Sequence, residues 1–183
     1  VQDAVVIAIP TDRPLILPAR RPTVIEDQVD KDFVPYVNPV LVGTPVTFPN
    51  RDQVHHHVYS FSPAKRFELP LYVGTPAKPV VFDTAGVVVL GCNIHDWMIA
   101  YIYVSESPYF AKSGADGVTK LANLPAGSYQ VRAWHPRMDI TEEATRRVVV
   151  LTDANVSTQE WQLRLRPENR ARRAPVAGQR NRY

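Results

Sequence analysis

Apolar and polar residues alternate along this chain in short bursts, most of them four to eight positions long, that stop at Pro, Gly, Asn or Asp. A period of two with Val, Ile, Tyr and Phe at the repeating positions predicts half-buried strands. The pattern places strands at residues 4–9, 39–47, 58–61, 67–72, 79–83, 87–92, 99–104, 118–121, 128–134, 146–151 and 158–165. Only residues 139–147 carry a weak helical spacing. The 17 prolines against 8 glycines cut the chain into segments too brief for long helices. Many short strands with this punctuation predict an all-β protein, built from sandwiches with Greek-key or meander connections.

Composition narrows the class without naming a function. Of 183 residues, 45% are hydrophobic and 21% charged, which excludes wholesale disorder. No apolar run, Ala85 to Leu90 among them, approaches the length of a membrane span. No cationic stretch followed by an apolar one opens the chain, so any signal peptide is expected to have been removed already. The net charge is +3, and seven arginines against one glutamate between Arg164 and Tyr183 supply +6 of it, leaving −3 on residues 1–163. Basicity therefore belongs to the end of the chain and not to a nucleic-acid-binding face. Residues 167–183 read as a basic disordered tail, either a solvated terminus, the favoured reading, or an arm that assembles onto an acidic partner or anionic lipid.

A composition shift falls near Val104. Before it lie four of the five histidines and the single cysteine. After it come Asp116-Gly117, Leu121, the turn Leu124-Pro125-Ala126-Gly127-Ser128-Tyr129, and a strand ending Ala133-Trp134-His135-Pro136. This arrangement resembles the transthyretin-like, or carboxypeptidase-regulatory-like, β-sandwich. The opening Asp3-Ala4-Val5-Val6-Ile7-Ala8 looks like an earlier strand of the same module. The resemblance implies a module formed by residues 1–16 and 105–166, with another domain inserted between.

The candidate chemistry sits in Cys92-Asn93-Ile94-His95-Asp96-Trp97-Met98, between two β-rich runs. A thiolate, an imidazole and a thioether within seven residues can fold toward one point and leave a direction open for a ligand from elsewhere. Upstream, Asn50-Arg51-Asp52-Gln53-Val54-His55-His56-His57 offers further imidazoles. Two imidazoles, one thiolate and a weak thioether form the set that suits copper in electron transfer. A lone cysteine cannot form an intrachain disulfide, so Cys92 is either a buried free thiol or a metal ligand.

Cys-x2-His-x2-Met, preceded by a Gly-Val-Val-rich strand and an upstream Asn-x5-His, resembles the cupredoxin family, and the short ligand loop is most like that of amicyanin. Phe33-Val34-Pro35 and Val42-Gly43-Thr44-Pro45-Val46-Thr47-Phe48-Pro49-Asn50 are similar to the family's opening strands. The resemblance covers residues 24–104 and implies a Greek-key cupredoxin β-sandwich holding one type 1 (blue) copper. Carried over by position, the ligands are His56, Cys92, His95 and Met98, with His56 six residues after Asn50. It also implies that Asn50 and Asn93 brace the ligand loops. The family commonly has Asn after the first ligand histidine, where this sequence has His57. With its trailing module the chain resembles the periplasmic cupredoxin-domain proteins labelled methylamine utilization proteins.

Several activities are disfavoured. Gly91 and Asn93 flank Cys92 where copper oxidases and nitrite reductases place a histidine. No Gly-x-Ser-x-Gly, His-Glu-x-x-His or phosphate loop is present. His135 with Met138 offers too few ligands for a secondary copper site and reads as a strand end, and His55 and His57 with Asp52 read as surface residues rather than an extra metal site. The expectation is a non-enzymatic, periplasmic or secreted carrier of single electrons, exchanging them with a redox partner protein such as a cytochrome or a copper or quinone enzyme. The competing expectation is a copper-delivery or structural accessory protein without redox turnover.

Overall fold

The structure, a computed structural model, describes residues 1–153 and 156–168; the basic tail expected from residue 167 lies, past Glu168, outside the described residues. β1 (Val5–Pro10) opens the fold. Residues 11–23 form no helix or strand, and three short strands follow: β2 (Val24–Ile25), β3 (Asp27–Val29) and β4 (Asp32–Val34). β3 and β4 pair as a hairpin whose two turn residues, Asp30 and Lys31, have φ of 53° and 59°. That left-handed pair matches the twist of a two-residue hairpin.

The strand expected over 39–47 is in fact two, β5 (Val37–Leu41) and β6 (Thr44–Thr47). Gly43 causes the break, because its φ of 84° turns the chain from one sheet to another. Val42 N–H bonds to Ser105 in the first sheet, and Gly43 N–H bonds to Phe82 in the second. Then come β7 (His56–Ser62), β8 (Lys65–Tyr72), β9 (Val80–Phe82), β10 (Gly86–Cys92) and β11 (Ile99–Ser105). β5-β11-β10-β7-β8 form a five-stranded sheet, and β2-β6-β9 a three-stranded one. Phe33, Val46, Phe48 and Phe82 meet Val58, Val88, Leu90, Ala100 and Ile102 in one buried cluster, so the two layers make a sandwich. Along β10 the inward positions are Val88, Leu90 and Cys92, while Val89 faces out. Cys92 is thus the last core position of its strand.

The remaining strands are β12 (Tyr109–Lys112), β13 (Gly127–Trp134) and β14 (Arg147–Leu151). β1 pairs antiparallel with both β12 and β13, giving a four-stranded sheet ordered β12-β1-β13-β14. This sheet packs on the outer side of β5 and β11 through Val5, Val37, Tyr103, Trp134 and Met138. Lys112 anchors the contact, donating from Nζ to the Val37 carbonyl at 2.8 Å and pairing with Asp3 at 3.0 Å.

Three expected elements differ. Residues 118–121 form no strand, and Leu121 packs on the sheet from a loop that follows the Gly117 turn. Residues 158–165 alternate as expected, with Trp161, Leu163 and Leu165 turned inward, but they pair only through a bridge from Leu165 to Met138. They form a strap held by single bonds, such as Trp161 Nε1–H to the Thr145 carbonyl at 2.7 Å. In place of a helix over 139–147 there is one 3₁₀ turn, Glu142–Thr145, capped by the Thr141 hydroxyl. Thr145 is tied to the Ala133 backbone, which ends the turn at β13. β12, four residues long and directly after Pro108, is too short to stand out in the pattern.

Glu26, between β2 and β3, is fully buried. One carboxyl oxygen accepts from Asn38 Nδ2 at 2.9 Å, and the other has no hydrogen-bond partner among the described residues. Burial raises its pKa to about 8, against the opposing pull of Asn38 and Lys112. The folded state therefore keeps a proton that the unfolded chain releases near 4.5. The associated stability is complete below that value and is lost as pH rises toward 8. Urea unfolding of the native chain should weaken between pH 5 and 8 by up to about 1.4 kcal/mol per pH unit more than that of Glu26→Gln. Equal slopes in the two proteins would refute the buried proton.

Candidate metal centre

Two loops at one end of the sandwich carry the chemistry. β10 ends at Cys92 and β11 begins at Ile99, so residues 93–98 must reverse the chain. The Met98 N–H donates to the His95 carbonyl at 3.0 Å and closes that reversal into a tight turn. His56 opens β7 and is fully buried, facing inward like Val58 and Ser60. His55 is exposed, and His57 turns away to Glu68, with its Nε2 2.8 Å from Oε1. The pleat separates the three consecutive histidines and selects the middle one.

Cys92 Sγ lies 3.9 Å from His56 Nδ1 and 3.7 Å from His95 Nδ1. The donor atoms of all three residues lie within 4.8 Å of one another, the only such His, Cys, Asp or Glu group among the described residues. A first-row ion bound at about 2.0 Å to nitrogen and 2.3 Å to sulfur would separate trigonal donors by roughly 3.7 Å. The spacing therefore fits one ion. Two imidazoles and a thiolate form a set that suits copper.

Asp52 orients the buried imidazole. Its Oδ2 is 2.7 Å from His56 Nε2, four residues on, which places the ring proton on Nε2 and leaves the Nδ1 lone pair facing the sulfur. The carboxylate also accepts from Asp30 and Lys31 N–H at 2.8 and 2.9 Å. Burial alone would raise the Asp52 pKa, but these bonds outweigh it and hold it below the usual range. Burial would also depress His56, yet Cys92 and Asp52 raise it overall. Burial would push the Cys92 thiol up, but His56 and the backbone N–H groups of His57 and Ile94 bring it down, favouring thiolate. For His95 burial lowers the pKa and the neighbouring His56 adds to it, keeping that imidazole neutral and able to donate its lone pair.

His56, Cys92 and His95 are thus brought together. Met98 is 1% exposed and belongs to the core cluster that contains Cys92. Asn50 braces its own loop, donating to the Val54 and Tyr72 carbonyls and accepting from Asp52 N–H. Asn93 is exposed. The tie between the ligand loops expected of an Asn side chain comes instead from the His57 backbone N–H to the Cys92 sulfur. Gly91 precedes Cys92 because a Cβ there would lie 2.8 Å from the Tyr59 ring, which crosses β10 at that point.

His135 is committed to packing: its Nδ1 accepts from Arg137 N–H at 3.1 Å, and its ring also bonds to the Gln2 backbone. Met138 is buried between the sheets. Sequence reading did not find Asp52 as the partner of His56, although an aspartate four residues ahead of that histidine within one loop was the available signal.

No protein-family model and no curated protein matches the chain. Among solved structures, it is similar over 51% of its length to a copper-containing nitrite reductase from Thermus scotoductus SA-01, at 25% identity and a TM-score of 0.44. It spans only 25% of that enzyme. It is similar over 54% of its length to a single-site mutant of amicyanin in its reduced Cu(I) form, covering 98% of that chain at 20% identity and a TM-score of 0.41. A purple cupredoxin from Nitrosopumilus maritimus matches over 45% of the chain and 98% of its own, at 26% identity and a TM-score of 0.38. The reading of the site rests on its own side chains. No helix among the described residues is long and apolar enough to cross a membrane.

Because His56 and His57 point to opposite faces, their substitutions should separate cleanly. His56→Ala is expected to lower copper affinity at least about a hundredfold, and His57→Ala less than about threefold, in competition titrations with a chelator; these order-of-magnitude figures follow from losing a ligand against losing a surface group. Equal losses would contradict the orientation of β7.

Proposed function

We propose that this protein is a type 1 copper protein of the cupredoxin class that carries single electrons and has no substrate turnover of its own. His56, Cys92 and His95 would hold the metal, with Met98, buried in the same core cluster as Cys92, as a weak fourth donor. The observation that carries the reading is the convergence of two imidazole nitrogens and one thiol sulfur within 4.8 Å at the edge of a hydrophobic core. Copper would supply a one-electron couple there, and a constrained mixed nitrogen and sulfur set suits both of its oxidation states.

The residues of the chain perform the rest. Asp52 holds the Nε2 proton of His56 and so fixes the tautomer and angle of the ring. The His57 and Ile94 N–H groups steady the thiolate. Core side chains keep water from the buried His56 and Cys92. His95 is half-buried between the His56 and Trp97 rings, with centroids 4.9 and 5.2 Å away, which makes it the surface-side member of the set and the place where an electron enters or leaves. The proposed setting is the periplasm, with a cytochrome or a copper or quinone enzyme as redox partner. The four-stranded sheet forms a transthyretin-like module that extends the carrier toward an assembly. We divide the chain accordingly into residues 24–104 and residues 1–16 with 105–166.

The test is a visible and electron-paramagnetic-resonance spectrum of the Cu(II)-loaded protein beside Cys92→Ser. A strong band near about 600 nm, from thiolate-to-copper charge transfer, should appear in the native chain and vanish in the variant. Copper held equally well by Cys92→Ser without colour would overturn electron transfer in favour of copper delivery. For the fourth donor, Met98→Leu conserves volume and should retain the band while raising the reduction potential, because a weak donor to Cu(II) would be lost. An unchanged potential in cyclic voltammetry would remove Met98 from the ligand set.

A further inference from the structure

The β3–β4 hairpin reaches the metal centre through its two turn residues, and one of them, Lys31, faces both loops. We propose that the backbone of Lys31 is a clamp that positions both ligand-bearing loops at once; this deepens the copper reading and rests on it. The Lys31 N–H donates to Asp52 Oδ2 at 2.9 Å, the same oxygen that lies 2.7 Å from His56 Nε2. The Lys31 carbonyl accepts from Trp97 Nε1–H at 3.0 Å, and the Trp97 ring packs on His95 with centroids 5.2 Å apart. One residue therefore touches the support of the buried imidazole on one side and the support of the surface imidazole on the other.

The rest of the hairpin stiffens this arrangement. Asp30 N–H donates to the second oxygen of Asp52 at 2.8 Å, so both carboxylate oxygens are engaged. At the base, Gln28 N–H bonds to the Pro49 carbonyl and Arg51 N–H to the Gln28 carbonyl, each at 3.0 Å. Arg51 pairs with Asp27 across the same seam. The hairpin is thereby stitched to the loop that leads into His56. Asp30 and Lys31 occupy left-handed backbone that Asn-Gly would adopt more readily. A turn built from less suitable residues persists where its surroundings determine it, and such positions cluster at functional sites. Here the surroundings are Asp52 and Trp97. The contact is reciprocal, since the turn is held by the two ligand loops and in turn holds them in register.

The test uses the full chain. Its copper form is checked first for the thiolate band; absence of that band defeats the copper reading alone, and the clamp is then judged in the metal-free protein. Trp97→Phe keeps a ring against His95 and deletes the N–H. Asp52→Asn keeps the shape and places an amide among three donors. Each single variant should speed copper loss to a chelator about tenfold. The double variant should be no faster than the worse single one, because both bonds end on one residue, Lys31, and their effects cannot add independently. In the metal-free protein, Trp97→Phe should speed hydrogen exchange of the His56 ring N–H about tenfold, although Trp97 bonds only to Lys31, with the urea midpoint of global unfolding unchanged. Multiplicative copper-loss rates, about a hundredfold in the double variant, or an unaltered His56 exchange rate would overturn the clamp.

Discussion

The facing of Cys92 and His56 across the end of the core is the constraint on which the rest depends. A thiol and an imidazole in an apolar layer are costly unless each finds a polar partner. Here each is the other's partner, 3.9 Å apart, and each has further support, Asp52 behind the imidazole and two backbone N–H groups on the sulfur. The pairing requires that β7 and β10 be neighbours in register. They are, with Cys92 opposite Val58 and Gly91 opposite Tyr59. The sandwich core below, from Phe33 to Val104, fixes that register by burying alternate positions of both strands.

The same logic explains why the neighbouring positions are what they are. Gly91 clears space for Tyr59, so β10 and β7 approach closely just before Cys92. The Met98-to-His95 turn brings the second imidazole back over the sulfur within a loop of six residues. On the far side of the five-stranded sheet, Trp134, Met138 and Val5 cover Tyr103 and Val37, so β5 and β11 are packed on both faces. The four-stranded sheet thereby supports β11, the strand into which the 93–98 loop runs, without contributing a donor atom to the cluster.

Much of this was legible in the sequence, for identifiable reasons. The run of Val and Leu over residues 87–90 marks the strand that ends at Cys92, while the inward direction of Cys92 emerges only in the fold. The run His55-His56-His57 holds three imidazoles, of which the resemblance picks His56, and the structure brings that middle imidazole to Cys92 and His95 through strand alternation. What escaped were features set by few residues or by distant partners. β2, β3 and β4 are two or three residues long, so no period can reveal them. The residue 158–165 segment has the alternation of a strand without a ladder, because burial sets side-chain direction whether or not a neighbour pairs. Asp52 and Lys31 are 21 residues apart, and only the folded hairpin joins them.

Copper K-edge X-ray absorption of the loaded protein, recorded oxidised and reduced, tests the central claim most directly. The account predicts one sulfur and two imidazole nitrogens in the inner shell of both states, with bond lengths that scarcely change, because the ligands are held by the strands and loops described above. A shell of nitrogen and oxygen alone, or a sulfur bound in only one of the two states, would contradict it.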